Sequence, residues 1–161
     1  MTPEQIYTVA KQAGFPPETA VKMVAIAIRE SSGNPMAFNG KPPDRSYGLW
    51  QINMLGVNGP FITRVLGLTS EQQLFDPLTN ARAAYALWGG NDNNLNIAWA
   101  INKAGSPYHY AEKYQANLII AQQAALNVEG GGAGGGDGSG GVQVASGSTG
   151  TPPNPTRPRR G

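Results

Sequence analysis

Glu30 is the acid best placed to do chemistry, because it closes an apolar stretch that is predicted to form a helix. The apolar residues before it recur at helical spacing and form one stripe: Val21, Val24, Ala25 and Ile28. Other positions of the stretch are also apolar, which is typical of a central, buried helix. Burial and the partial negative charge at a helix C-terminus both favour a protonated carboxyl group, which can protonate the leaving oxygen of a glycosidic bond. The structural alternative is an ion pair with Arg29 or Lys22.

A glycosidase that uses water needs a second carboxylate, as the nucleophile or as the base that activates water. Asp76 stands before Pro77 and is predicted to cap a helix, and Glu71 lies in the first turn of a helix of its own. Asp44, in a stretch rich in Gly and Pro, is predicted from the residues alone to be an ordinary solvated loop acid.

Helices are predicted to position these acids. Three pairs place a capping residue before a proline, as at helix starts: Thr2-Pro3, Asp76-Pro77 and Ser106-Pro107. Capping boxes are predicted for Thr2 with Gln5 and for Thr69 with Gln72. The predicted helices cover residues 3–13, 17–31, 60–66, 77–88, 97–101 and 107–128. Residues 32–46 are predicted as loop, and residues 46–53 as a short strand or hairpin.

The composition of the chain changes near residue 128. Residues 1–128 contain all 3 Trp, all 6 Tyr and all 4 Phe, whereas residues 129–161 contain no aromatic residue and 12 of the 22 Gly. A segment with so little apolar surface cannot offset the backbone entropy that ordering costs. We therefore predict one folded domain at 1–128 and an extended, low-complexity Gly/Ser/Pro-rich tail at 129–161.

Composition also limits the classes of function. The formal net charge is +2, and the basic residues of the domain are scattered, so nucleic acid is not an expected partner. There is no Cys for disulfide or thiolate chemistry, and no metal cluster or cofactor motif is visible, so no metal or cofactor is expected. No apolar run approaches the roughly 20 residues of a membrane span. The first residues lack the features of a signal peptide, so we expect any export to depend on another route.

Three sequence blocks resemble those of a known family. E-S-S-G-N-P-M-A at 30–37 resembles the E-S-x-x-x-P-x-A signature of the soluble lytic transglycosylases. S-Y-G-L-W-Q-I-N at 46–53 is similar to their G-L-M-Q stretch and to the Y-G-x-x-Q-I-N stretch of animal lysozymes. L-F-D-P-L-T-N at 74–80 resembles the F-D-P-x-x-N of the family. In the third block, Asp76 and Asn80 are expected to hold a helix start and a turn near the cleft.

The resemblance implies a lysozyme-like α+β fold, mostly α-helical with a small β region, around a sugar-binding cleft. The implied substrate is the glycan strand of peptidoglycan, cut between N-acetylmuramic acid and N-acetylglucosamine. Glu30 is then the catalytic acid, and its carboxylate next takes a proton from the 6-hydroxyl of the sugar, which gives a 1,6-anhydro ring without water. Ser46 stands where animal lysozymes have a second acid, which favours this route over hydrolysis. Asp44, two residues earlier, is the one substitute that the resemblance leaves for that acid. The alternatives are a hydrolase that uses Glu30 and Asp44, and a non-catalytic lysozyme-like module that binds the cell wall.

A fourth block, at residues 99–105, departs from the Y-N-A-G of the family. Its Tyr is missing, and Asn102 and Gly105 match only with a shift of one residue, so Trp99 or Tyr108 is the expected replacement. The residues expected to contact the sugar are Ser31, Ser46, Tyr47, Gln51, Asn53, Trp99, Asn102 and Tyr108.

The tail suggests the setting in which such a domain works. A small wall-cutting domain with a Gly/Pro-rich tail suits a bacteriophage particle, where it would open the wall locally for genome entry. We expect the tail to dock on other proteins of the virion or its tail. The alternative is a bacterial secretion or injection assembly.

Overall fold

The computed structural model describes residues 1–131, and the predicted tail from residue 132 onward lies outside these residues. The helices are α1 (Pro3–Ala13), α2 (Pro17–Ser31), α3 (Asn58–Leu66), a 3-10 helix (Glu71–Phe75), α4 (Pro77–Trp88), α5 (Asn93–Trp99) and α6 (Tyr110–Glu129). The strands are β1 (Phe38–Asn39), β2 (Ser46–Tyr47) and β3 (Ile52–Asn53). The mostly helical α+β class with a small β region, predicted from the sequence, is confirmed. Within residues 1–131, no helix has both the length and the apolar character needed to cross a membrane.

Helix α1 has the predicted bounds and the predicted capping box. The Thr2 hydroxyl accepts the backbone N–H of Gln5 at 3.2 Å, and the Gln5 side chain accepts the N–H of Thr2 at 2.9 Å. Gly14 ends the helix at a φ of 113°, a left-handed conformation that glycine adopts at little cost. The cap therefore fixes where α1 starts and stops.

Helix α2 is the central helix of the domain, as its apolar pattern predicted. Its residues from Met23 to Ala27 are fully buried, in contact with the core that α1 and α6 complete. The helix ends at Ser32, which has a φ of 53°. Glu30 consequently lies in the last turn of α2, where the buried helix meets the surface.

The small sheet lies beside the end of α2. Its strands are antiparallel in the order β1-β2-β3, with Tyr47 opposite Phe38 and Ser46 opposite Asn53. The turn between β2 and β3 needs a left-handed residue at Gly48, φ 75°, and another at Gln51, φ 46°. The predicted hairpin is confirmed, whereas β1 falls in the stretch that was predicted as loop.

The chain before α6 folds differently from the prediction. The Ser106 hydroxyl accepts the N–H of Tyr108 at 3.2 Å, and the Ser106 carbonyl accepts the N–H of His109 at 2.9 Å. These bonds close a turn, and His109 then takes a left-handed φ of 54°. The prediction that Ser106-Pro107 starts the last helix is therefore wrong, and α6 begins at Tyr110.

Other predicted bounds are also corrected. Helix α5 spans 93–99 rather than 97–101, because Ala100 ends it in a left-handed conformation with φ 51°. Helix α3 begins at Asn58, two residues before the predicted start. The second capping box joins Ser70 and Gln73, one residue later than predicted, and opens the 3-10 helix.

The last helix extends one residue beyond the predicted domain boundary at 128. Glu129 accepts a hydrogen bond of 2.7 Å from the Tyr7 hydroxyl and forms an ion pair of 3.2 Å with Lys11. Burial, together with this hydrogen bond to Glu129, raises the pKa of Tyr7 to about 12. The end of α6 is thus tied to α1.

Candidate active site

A cleft of about 310 Å³ opens where the end of α2, the sheet and the end of α5 meet. Its lining residues are Glu30, Asn39, Asp44, Ser46, Gln51, Asn53, Ala98, Trp99, Ala100 and Tyr110. The first, second and fourth sequence blocks, far apart in the chain, therefore meet at one place. Both candidate acids, Glu30 and Asp44, lie in this cleft.

The Glu30 side chain forms an ion pair and also lines the cleft. Its side chain is 23% exposed, and its Oε1 accepts a hydrogen bond of 2.6 Å from the Arg29 Nη2, whose side chain is 3% exposed. The ion pair with Arg29 that formed the structural alternative is thus present, and Lys22 instead pairs with Asp92 at 2.6 Å.

Asp44 also lines the cleft, on the segment between β1 and β2. Its Oδ1 accepts from the Asn53 side-chain amide at 3.1 Å, and its Oδ2 accepts from the Asn39 amide at 3.4 Å. Two neutral amides therefore hold this carboxylate at the cleft. Asn39 is not among the contact residues predicted from the sequence, because it falls in the stretch that was predicted as loop.

The sheet wall of the cleft consists of Ser46, Gln51 and Asn53. Ser46 lies on the middle strand and is 5% exposed. The Gln51 amide donates to the carbonyls of Ala37 and Gly48 at 3.1 and 3.0 Å, so this side chain braces the turn as well as lining the cleft. Asn53 accepts the N–H of Arg45 at 3.1 Å through its Oδ1.

Aromatic residues form the opposite wall. Trp99 is 5% exposed, and its indole N–H donates to the Trp50 carbonyl at 2.8 Å. Tyr110 also lines the cleft, and Tyr108, 65% exposed, stacks on it with ring centroids 5.6 Å apart. Tyr110 is not among the contact residues predicted from the sequence, which placed it within the helix predicted for residues 107–128. The wrong helix start at Pro107 concealed its position at the cleft.

Four of the predicted contact residues do not line the cleft. The Ser31 hydroxyl donates to the Ala27 carbonyl at 3.0 Å. Tyr47 is buried, and its hydroxyl donates to Glu71 at 2.8 Å. Asn102 and Tyr108 are exposed on the segment between Trp99 and Tyr110. Ser31 and Tyr47 thus support the walls, whereas Asn102 and Tyr108 lie on a segment that borders the cleft.

The third block holds the sheet turn in place, as its sequence predicted. Asp76 caps α4 by accepting the N–H of Thr79 at 2.9 Å. Asn80 is fully buried, accepts the N–H of Trp50 at 3.0 Å, and donates to the carbonyls of Tyr47 and Leu74, both at 2.8 Å. One side chain therefore joins α4 to the turn that forms the cleft wall.

A larger groove, of about 510 Å³, lies along α1, but its lining offers fewer groups that could catalyse a reaction. Its carboxylate, Glu4, is bonded by the Asn127 amide at 2.9 Å, and its other lining residues are uncharged side chains and the N-terminal Met1. Glu4 lies outside the sequence blocks that resemble those of the transglycosylases, so the cleft at Glu30 is the candidate active site. Among residues 1–131 there is no group of three or more His, Cys, Asp and Glu that could hold a metal ion.

The family is identified by comparison with known proteins. A family model described as a lysozyme-like domain matches residues 7–97, more than half of the chain, so this chain belongs to that family. Membership places it among the domains that degrade peptidoglycan as glycosidases. Comparison with curated proteins gives no match, and comparison with solved structures gives none either. The matched region includes Glu30 and Asp44 and ends before Trp99.

Proposed function

We propose that this domain is a peptidoglycan lytic transglycosylase with Glu30 as its catalytic acid and base. The observation that supports it most is the position of Glu30, in the last turn of the buried helix and in the same cleft as Ser46, Gln51 and Trp99. Motif blocks that resemble those of the transglycosylases thus surround the carboxyl group of Glu30. Membership in the lysozyme-like family supports the glycan strand of peptidoglycan as the substrate class.

The reaction needs one carboxyl group in two successive roles. Glu30 first donates its proton to the glycosidic oxygen between N-acetylmuramic acid and N-acetylglucosamine, and the bond from that oxygen to the anomeric carbon breaks. The Glu30 carboxylate then accepts the proton of the 6-hydroxyl, whose oxygen bonds to the anomeric carbon. The products are a 1,6-anhydro end and a free hydroxyl, and Glu30 regains its proton.

A hydrolase that uses Asp44 is the second candidate, and one observation favours it. Asp44 lies in the same cleft as Glu30, and two side-chain amides hold its carboxyl group there, where a hydrolase needs a second carboxylate. Asp44→Asn separates the two reactions. A transglycosylase retains most of its rate in this variant, whereas a hydrolase loses nearly as much as it does in Glu30→Gln.

The experiment that tests the proposal is fragment release from purified peptidoglycan by the parent protein and by Glu30→Gln. The matched control is Glu18→Gln, an exposed acid in the first turn of the same helix. We expect Glu30→Gln to lose at least about 10²-fold in rate, the scale of a catalytic acid, while its fold is retained. Glu18→Gln should match the parent. Wall binding without release by the parent would favour the non-catalytic module instead.

We further propose that the domain works in a bacteriophage particle and opens the wall locally as the genome enters, with peptidoglycan as substrate and virion proteins as partners of the tail. The support is the composition of residues 129–161 beside a wall-cutting domain. Mass spectrometry of purified particles tests it. Detection of the protein only in lysing cells would contradict carriage in the particle and leave the injection-assembly alternative open.

A further inference from the structure

Arg29 brings three parts of the cleft to one guanidinium group. Its Nη2 donates to Glu30 Oε1 at 2.6 Å and to the main-chain carbonyl of Trp99, and its Nη1 donates to the carbonyl of Tyr110 at 3.3 Å. The guanidinium also lies over the Tyr110 ring, 5.2 Å from the ring centroid. Glu30, Trp99 and Tyr110 all line the cleft. Arg29 is therefore bonded to the candidate acid and to the opposite wall.

The two carbonyls that accept hydrogen bonds from Arg29 flank one segment of the chain, residues 100–109. Trp99 precedes it and Tyr110 follows it, so a single side chain closes the base of this segment. The segment carries Asn102 and Tyr108, and the family match ends at residue 97. Its position against the cleft is thus coupled to the position of Glu30 through Arg29.

The burial of Arg29 is difficult to explain by stability alone. Its side chain is 3% exposed, and its Nε is buried without a hydrogen-bond partner among the described residues. A buried ion pair contributes little net stability, because the loss of hydration offsets the attraction, and an unpaired buried donor is unfavourable. A functional role accounts for this arrangement better than stability does.

We propose that Arg29 is a positioning residue of the active site. It fixes Oε1 of Glu30, which leaves Oε2 for the glycosidic oxygen, and it holds the 100–109 segment where Asn102 and Tyr108 border the bound glycan. Its charge stabilises the carboxylate that remains once Glu30 has given up its proton. This inference rests on the proposed function, since it needs Glu30 to carry out the proton transfers.

Two variants separate the geometry that Arg29 provides from its charge. Arg29→Lys keeps the positive charge but replaces the planar fork with a single nitrogen, which cannot occupy the positions of both Nη1 and Nη2. Arg29→Gln also removes the charge. Lys22→Gln is the matched control, because Lys22 lies on the same helix and its ion pair with Asp92 does not involve Glu30. Each variant is measured for kcat, KM and the melting temperature.

We expect both Arg29 variants to lower kcat by about 10- to 100-fold, the scale of a misplaced catalytic group, with a smaller change in KM. Arg29→Gln should lower kcat at least as far as Arg29→Lys does, because it removes the charge as well as the planar fork. Lys22→Gln should leave kcat and KM at the values of the parent.

Certain results would overturn the inference. One is an Arg29→Lys variant that folds and retains the kcat of the parent. Another is an Arg29→Gln variant with a lower melting temperature but an unchanged kcat. If these occur while Glu30→Gln is inactive, the proposed function stands and the role of Arg29 fails. If the parent releases no fragments at all, both fail together.

Discussion

The indole Nε1–H of Trp99 donates a hydrogen bond of 2.8 Å to the main-chain carbonyl of Trp50, 49 residues earlier in the chain. Trp99 ends α5, and Trp50 lies in the turn between β2 and β3. Trp50 is fully buried, and its own indole N–H donates to the Met23 carbonyl of α2 at 2.8 Å. The two walls of the cleft are therefore joined to each other and to the helix that carries Glu30.

Trp99→Phe should weaken both the fold and the activity. Phenylalanine fills much of the space but cannot donate to the Trp50 carbonyl, so we expect a loss of roughly 1 to 3 kcal/mol in the free energy of unfolding. Trp88→Phe is the matched control, since its indole N–H donates to Asp92 at 2.8 Å, outside the residues that line the cleft. Urea unfolding and kcat measure the two effects. An equal loss of kcat in both variants would contradict the special role of the Trp99 bond.

Gly48→Ala should be far more damaging than Gly67→Ala. Both glycines have left-handed backbones, with φ 75° and 64°, which cost alanine roughly 1 to 2 kcal/mol. A methyl group at Gly48 would also lie 2.7 Å from the Leu74 carbonyl oxygen and against the Asn80 amide, whereas at Gly67 it would meet nothing within 4 Å. We therefore expect Gly67→Ala to cost about that strain alone and Gly48→Ala several kcal/mol. Thermal unfolding of both variants checks this, and equal melting temperatures would contradict it.

The ion pair beside the sheet should make stability depend on pH. Glu71 accepts two hydrogen bonds from the Arg45 guanidinium, at 2.8 and 2.7 Å, and one from Tyr47, and these contacts lower the pKa of Glu71 below 4.5. A carboxyl group with a lowered pKa in the folded state stabilises the fold above its unfolded pKa, and this contribution is lost as the pH falls through the lower, folded pKa. Both partners are partly exposed, so solvent screens the effect.

The measurement is the free energy of unfolding of the parent and of Glu71→Gln as a function of pH. The parent should be the more stable protein at about pH 7, and its advantage should shrink as the pH falls below about 4.5, the range in which the carboxylate takes up a proton. An advantage that stays constant down to about pH 2 would show that the carboxylate charge is not its source.

Local rules of sequence predicted the elements whose ends are set by their own residues. Helix α1 has the predicted bounds because Thr2, Gln5 and Gly14 cap it locally. Helix α6 does not, because the turn closed by Ser106 and the left-handed His109 displace its start by three residues. A capping pattern in the sequence cannot show whether the chain starts a helix at once or first closes a separate turn.

The candidate site was predictable to a similar extent. Glu30, Ser46 and Trp99 were found because they stand within motif blocks. Asn39 and Tyr110 were not, since they reach the cleft through a strand of two residues and through a displaced helix start. Their contribution depends on tertiary packing, which no periodicity in the sequence encodes.

Removal of residues 132–161 should leave the stability of the fold unchanged, whereas removal of residues 129–161 should lower it. A chain that ends at Gly131 retains Glu129 and its bonds to Tyr7 and Lys11, so we expect its melting temperature to equal that of the full chain. A chain that ends at Val128 loses the partner of the buried Tyr7 hydroxyl, which should cost about 1 kcal/mol. Calorimetry of both shortened chains measures their melting temperatures and tests these two expectations. A large loss in the 1–131 chain would assign the tail a structural role.

The central claim is that Glu30 cleaves the glycan without the entry of water, and mass spectrometry of a digest made in water labelled with heavy oxygen tests it most directly. We expect fragments that end in 1,6-anhydro-muramyl residues, lighter by one water than the reducing form and free of heavy oxygen, and no such fragments from Glu30→Gln. Reducing muramyl ends that carry heavy oxygen would contradict the account and would assign Asp44 a part in the reaction.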